Sequence, residues 1–388
     1  MLYLFGEILP FDSVTGFRFW CILKVIRLQG KNQEVCQFKN LISLIIVKMH
    51  RFLRNFKTAA RFGTMSPRMC STVWKGGLVG AFFLPHGSLI LTPEEPDVGA
   101  LALHEGMEQS GKEIEALKPD LILLLSPHTM TTTDRMCVYM DNHAKGSAAW
   151  KDKWKGFEVD VACDGNLAYD LVKWLHASKN KYSSKVTGLK TPIDCSELHW
   201  GEVIPLWFIR NLVDINLSKK VEPSKKSVPV IVMSSRPMFL RSTQCHPAIS
   251  KASQNNYYKF GESIAEWIDN NKDKKIVVIV SGDLSHRHMC TRGQEQVYSV
   301  NTNAAERFDA YAYEWMCTLD DKALNKATKL DPEAWSCGLC GMLILNGIIH
   351  WWQRTNGGKS SVQSKVIVPP THPSYFGMTI ASFQFERQ

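Results

Sequence analysis

Residues 276–286 read IVVIVSGDLSH, five consecutive β-branched aliphatics followed by a turn of Ser281, Gly282, Asp283, Leu284, Ser285 and His286. A run of five apolar residues without polar alternation is the pattern of a strand buried on both faces, as in a sheet covered by helices. Working outward, residues 78–84 (LVGAFFL), 120–125 (DLILLL) and 228–233 (VPVIVM) repeat the pattern. Helical spacing fills the intervals at 101–117, 203–212 and 257–270, and residues 376–385 read as a closing strand. Alternation of such strands with amphipathic segments predicts an α/β fold with a mostly parallel central sheet covered by helices on both faces. The stretches 145–155 and 218–227 read as polar loops.

Three of these strands end in a histidine on a turn: Pro85-His86-Gly87, Ser126-Pro127-His128 and the run to His286. In open α/β sheets the ligand site lies beyond the carboxyl ends of the strands. Three imidazoles at that edge therefore form a site-like set, histidine being both a metal ligand and an acid/base. His199 precedes another helix, in Glu197-Leu198-His199-Trp200-Gly201. Asp331 and Pro332 read as the N-cap and first residue of a helix. On that reading Glu333 and Cys337 lie one turn apart on one helix face, and either can reach a metal. Cys337 and Cys340 form a single Cys-Gly-Leu-Cys, a zinc half-site or redox pair that lacks a second half. Trp150, Trp154, Trp200 and Trp335 are candidates for an aromatic lining, with core packing as the alternative role.

The 388 residues carry a net charge of +9, and residues 1–75 hold the whole excess, with twelve basic and three acidic side chains. Residues 76–388 are formally neutral and lack the basic footprint of a nucleic-acid binder. No apolar run is long enough to span a membrane. The eleven cysteines are odd in number and scattered, which fits a reduced, intracellular setting rather than a disulfide scaffold. Residues 49–75 contain six basic residues and no acid, the composition of a mitochondrial transit peptide, and a floppy basic tail reads equally well. The expected organisation is a basic leader at 1–75 and one catalytic domain at 76–388, cytoplasmic, or mitochondrial if 49–75 acts as a transit peptide.

The ordered set PHG, SPH, HWGEVIPL, SGDLSH, CGLCGMLILNG and YFGMTIASF resembles the class III extradiol dioxygenases of the LigB superfamily, over about residues 78–385. SGDLSH at 281–286 is its most specific element. The resemblance implies an α/β/α fold, His86 and His128 as metal ligands, and His286 as the catalytic histidine. It implies His199 as a second active-site histidine and Asp283 as an acid supporting the site. Ring-cleaving members carry a Glu or His as third ligand where this chain has Ser336-Cys337-Gly338. Cys337-Gly338 resembles the Cys-Gly of the Memo proteins, so Cys337 is the matching third ligand and Glu333 a carboxylate substitute. The implied activity is Fe(II)-dependent cleavage of a catechol-type ring with O₂, since two histidines and an anionic ligand on one face leave positions for diol and oxygen. A thiolate suits zinc or copper as well, so a Memo-like metal- or peptide-binding protein and a zinc-dependent hydrolase on the same scaffold stay open. The expected partners are a small aromatic substrate and O₂, with no nucleic acid, no membrane and a possible homo-oligomer.

Overall fold

A computed structural model describes residues 76–93, 98–130, 132, 134–178, 185–217, 227–236, 249–290, 296–358 and 361–386. The leader at 1–75 and residues 218–226 of the second polar stretch lie outside them.

The apolar runs form the centre of an eight-stranded sheet. Its strands are β1 (Gly77–Leu84), β2 (Leu121–Ser126), β3 (Met136–Tyr139), β6 (Val186–Leu189), β8 (Val230–Ser234), β9 (Lys275–Ser281), β10 (Val362–Thr371) and β11 (Met378–Phe385), in the order β10-β11-β1-β9-β2-β8-β3-β6. The contiguous block β1, β9, β2, β8 is parallel. In this sheet β11 joins β1 and β10 antiparallel, and β3 meets β8 antiparallel. Both faces of the block are apolar because both are covered. Leu121, Leu123, Leu125, Val278 and Val280 point to one face, where α2 (Gly165–Ala177), α5 (Lys251–Asn270), α6 (Thr302–Thr318), α7 (Asp321–Ala334) and α8 (Leu339–Thr355) pack. Ile122, Leu124, Val277 and Ile279 point to the other, against α1 (Val98–Leu117), α3 (Trp200–Trp207) and a three-stranded sheet. The short α4 (Arg210–Val213) follows α3.

That smaller sheet, β5-β4-β7, is built from β4 (His143–Ser147), β5 (Glu158–Ala162) and β7 (Ser196–Leu198). It corrects the polar-loop reading of 145–155, whose first residues lie in β4. Lys145 points outward there while Ala144 is buried, and pairing on both sides satisfies the backbone that the polar side chains had suggested was free. A second correction concerns Asp331 and Pro332. They lie in the last turn of α7, which begins at the Asp320 N-cap, where the Asp320 carboxylate accepts the Lys322 N–H. The helix stops at Trp335, in the left-handed region at φ 60°, and the Asp331 carboxylate accepts the Ser336 N–H beyond it. A proline this close to the end forfeits one helical hydrogen bond without breaking a long helix. Glu333 and Cys337 are therefore not on one helix face: one lies in the last turn of α7, the other stands in the turn before α8. Among the described residues no helix is long and apolar enough to cross a membrane.

Candidate metal centre

The parallel block delivers its histidines to one edge. His86 follows β1 by two residues, His128 follows β2 by two, and Asp283 and His286 follow β9. Cys337 reaches the same edge because β9 and the turn before α8 touch through glycines. A Cβ on Gly282 would lie 2.5 Å from Gly338 Cα, and one on Gly338 would lie 2.8 Å from the Asp283 carbonyl oxygen. That close approach lets the Asp283 N–H donate to Cys337 Sγ at 3.2 Å.

Three donor atoms converge: His86 Nε2 lies 3.1 Å from His128 Nε2 and 3.4 Å from Cys337 Sγ. His86 is 2% exposed. Its Nδ1 donates to Ser281 Oγ at 2.8 Å, and the Ser281 hydroxyl donates in turn to the Gly201 carbonyl. The relay fixes the tautomer and leaves Nε2 with its lone pair facing the cluster, the orientation of a metal-binding imidazole. Bonds of about 2.1 Å to nitrogen and 2.3 Å to sulfur put two ligand atoms of one ion roughly 3 to 3.7 Å apart. The distances found fit a single ion shared by His86, His128 and Cys337. Asp283, His286 and Cys337 form a second, overlapping group of donors within 4.8 Å of one another.

Burial sets the electrostatics. Desolvation, reinforced by His286 and Arg236, holds His86 down at about 3, so it is neutral across physiological pH. Desolvation pushes the Asp283 carboxyl up to about 7, against the opposing pull of the His86 and Gly87 N–H groups. The 3.4 Å approach of Asp283 Oδ2 to His86 Nε2 is therefore not an ion pair, because the imidazole stays uncharged. The His86 N–H donates to Asp283 Oδ1 at 3.0 Å. Burial and the neighbouring Asp283 push the Cys337 thiol up, with Arg236 acting in the opposite sense.

The other sequence-predicted residues divide. His199 caps α3, and its N–H donates to Glu202 Oε2, while Ser126 donates to Glu202 Oε1. Fully buried Glu202 thus ties the end of β2 to His199. The His199 ring lies 6.3 Å from Trp200, whose ring lies 4.8 Å from His128 and 4.9 Å from Trp150. Trp335 lies 5.5 Å from Tyr298. Trp154 bonds Thr92 and packs on the α1 face instead. Glu333 is exposed; its carboxylate faces Asn301, so the structure does not bring it into the donor set. Cys340 is buried in the core, and Cys337 and Cys340 are both free thiols.

Sequence reading missed the second aromatic wall. Tyr298, Tyr375 and Phe376 lie 6.1, 6.5 and 5.9 Å from the His286 ring. Burial pushes both phenols up, keeping them protonated hydrogen-bond donors. YFG at 375–377, SGDLSH at 281–286 and HWGEVIPL at 199–206 contained Tyr375, Phe376, Ser281 and Glu202 without showing their roles, which arise from contacts between distant segments, and nothing local marked Tyr298. No curated protein matches the chain. The model of the LigB family, described as the catalytic LigB subunit of aromatic ring-opening dioxygenase, matches residues 80–367, a span that takes in every donor above, and the chain belongs to that family.

Proposed function

We propose that the protein is a non-haem Fe(II)-dependent extradiol dioxygenase that opens a catechol-type ring with O₂. The observation that carries this reading is the convergence of His86 Nε2, His128 Nε2 and Cys337 Sγ at the strand edge, beside His286 and between aromatic walls. These three residues would hold the ion, and bound iron supplies the electronic link between a diol and O₂ that neither reactant has alone. The remaining groups act on protons and orientation. His286 takes and returns the proton of a substrate hydroxyl, a role worth about 10²–10⁴-fold in rate. His199 hydrogen-bonds the oxygen of substrate or co-substrate. Asp283, with its carboxyl near 7, holds or releases a proton close to neutrality and supports the His86 backbone. Trp200 and the Tyr298–Tyr375–Phe376 group keep a flat ring in place and exclude water.

The test is anaerobic purification, metal analysis, and O₂ uptake with a panel of catechols, followed by the visible absorption of a ring-opened product. Iron at one per chain and O₂ consumed one-for-one with catechol support the reading. Tightly held zinc with no O₂ uptake overturns it. The sulfur donor favours a second reading, because thiolate suits zinc and copper as well as iron. A His₂Cys zinc site with one water is a hydrolase arrangement. A Memo-like protein that binds metal or peptide without cleaving a ring is the other form of this reading.

A further inference from the structure

We propose that Asp309, a residue outside the donor cluster, is a positioning residue for His286. The inference rests on the reading of His286 as the acid/base. Asp309 is buried on α6, 5% exposed, and its two carboxylate oxygens are both engaged by the loop that carries His286. Oδ1 accepts the Ser285 N–H at 3.0 Å, and Oδ2 accepts from His288 Nε2 at 2.8 Å. One side chain thus holds the residue before His286 and the residue two after it.

The carboxylate packs against the backbone at Gly377, where a Cβ would lie 2.1 Å from Asp309 Oδ2. Gly377 also pairs with the loop, donating to the Ser285 carbonyl and accepting from the Leu284 N–H, each at 2.7 Å. The His288 N–H donates to the Tyr375 carbonyl, and the His372 ring stacks flat on the His288 ring at 4.1 Å and 3°. A buried carboxylate is costly unless its oxygens are hydrogen-bonded. Here both bonds go to the flanks of one functional histidine. The backbone of His286 itself is held separately, its N–H donating to the Ala334 carbonyl, while Arg287 bonds Ser299 and the Glu333 carbonyl. Loss of Asp309 therefore leaves the loop attached and lets the His286 ring shift. A displacement of about 1 Å at such a group can cost 10²-fold in rate.

The test uses the full chain and three variants: Asp309→Asn, His288→Gln and His288→Leu. Asparagine keeps the shape but replaces one acceptor oxygen with a donor. Glutamine at 288 keeps an N–H for Asp309, and leucine does not. The readouts are metal content, kcat and KM with catechol, and the ring ¹⁵N resonances of His286 in zinc-loaded protein. The expected result for Asp309→Asn is metal content and KM within about twofold of the parent, kcat down roughly 10- to 100-fold, and shifted His286 resonances. His288→Gln should recover most of the kcat lost in His288→Leu. Unchanged kcat and unchanged resonances in Asp309→Asn overturn the proposal, as does a parallel loss of metal and activity. If Asp309→Asn does not fold, identical behaviour of the two His288 variants overturns it. If His286→Ala retains full turnover, or no catechol is turned over, the acid/base reading falls, and the resonances alone then decide whether Asp309 places His286.

Discussion

The Cys337 thiol is surrounded by opposing influences. Burial and Asp283 keep it protonated, while Arg236 and the Asp283 N–H favour the thiolate. A metal needs the thiolate, so binding must expel this proton. His86 contributes none, because it is already neutral well below pH 7. Above about pH 7.5 the Asp283 carboxyl, near 7, has largely ionised as well. The apparent Zn(II) affinity should therefore rise about tenfold per pH unit between about pH 7.5 and 9, with close to one proton released per ion in calorimetry across buffers of different ionisation heat. Cys337→Ser should weaken binding strongly and flatten the slope. The sign for the metal-free fold is the opposite. Its thiol stays neutral after an unfolded thiol has ionised near about 8.5, so that contribution to stability is present below that pH and lost as pH rises above it. A zinc affinity independent of pH in the parent would show that Cys337 is not a ligand.

Between residues and molecule stand the two elements that meet at the Gly282–Gly338 contact. Gly338→Ala puts a Cβ 2.8 Å from the Asp283 carbonyl and 2.9 Å from the Phe83 ring, both part of the packed end of the sheet. The turn must move, and Cys337 moves with it. The expected result is metal affinity reduced at least tenfold, with far-ultraviolet dichroism unchanged, as measured by competition with a chromogenic chelator. His286→Ala, on the β9 turn, should do the reverse: keep its metal and lose turnover by about 10²–10⁴-fold. These two elements also show how far the sequence could be read. β9 was legible because a strand covered on both faces has no polar alternation to confuse it, and its turn carries Asp283 and His286 in direct succession. The α7–α8 junction was not. Asp331-Pro332 has the form of a helix start, yet the carboxylate acts from the end of α7 on the Ser336 N–H. β10 was invisible because Pro369 and Pro370 interrupt it, which only a sheet edge tolerates. The strands of the small sheet were hidden because they are short and set polar, partly exposed residues between the buried ones.

For the whole molecule, the centre joins segments that are remote in sequence. His86 and Cys337 are 251 residues apart, and His86 and His128 are 42 apart, yet their donor atoms lie within 3.4 Å. The chain between them includes the parallel block, its crossover helices and the small sheet. An ion shared by these residues would bind the folded chain in preference to the unfolded one and would stabilise the fold by mass action. At a free metal concentration of 100 times Kd that stabilisation is about 2.7 kcal/mol. For a domain of this size a change of that kind moves the melting temperature by roughly 5 °C. Removal of metal with a chelator should lower the melting temperature of the parent by that amount, and re-addition of zinc should restore it. His128→Ala and Cys337→Ser should start near the chelated value and respond to neither treatment. His286→Ala and Glu333→Gln should respond as the parent does, since His286 is read as an acid/base and Glu333 lies exposed beside Asn301. A zinc-dependent rise that survives in Cys337→Ser but disappears in Glu333→Gln would move the third ligand to the carboxylate and make the site a two-histidine, one-carboxylate centre.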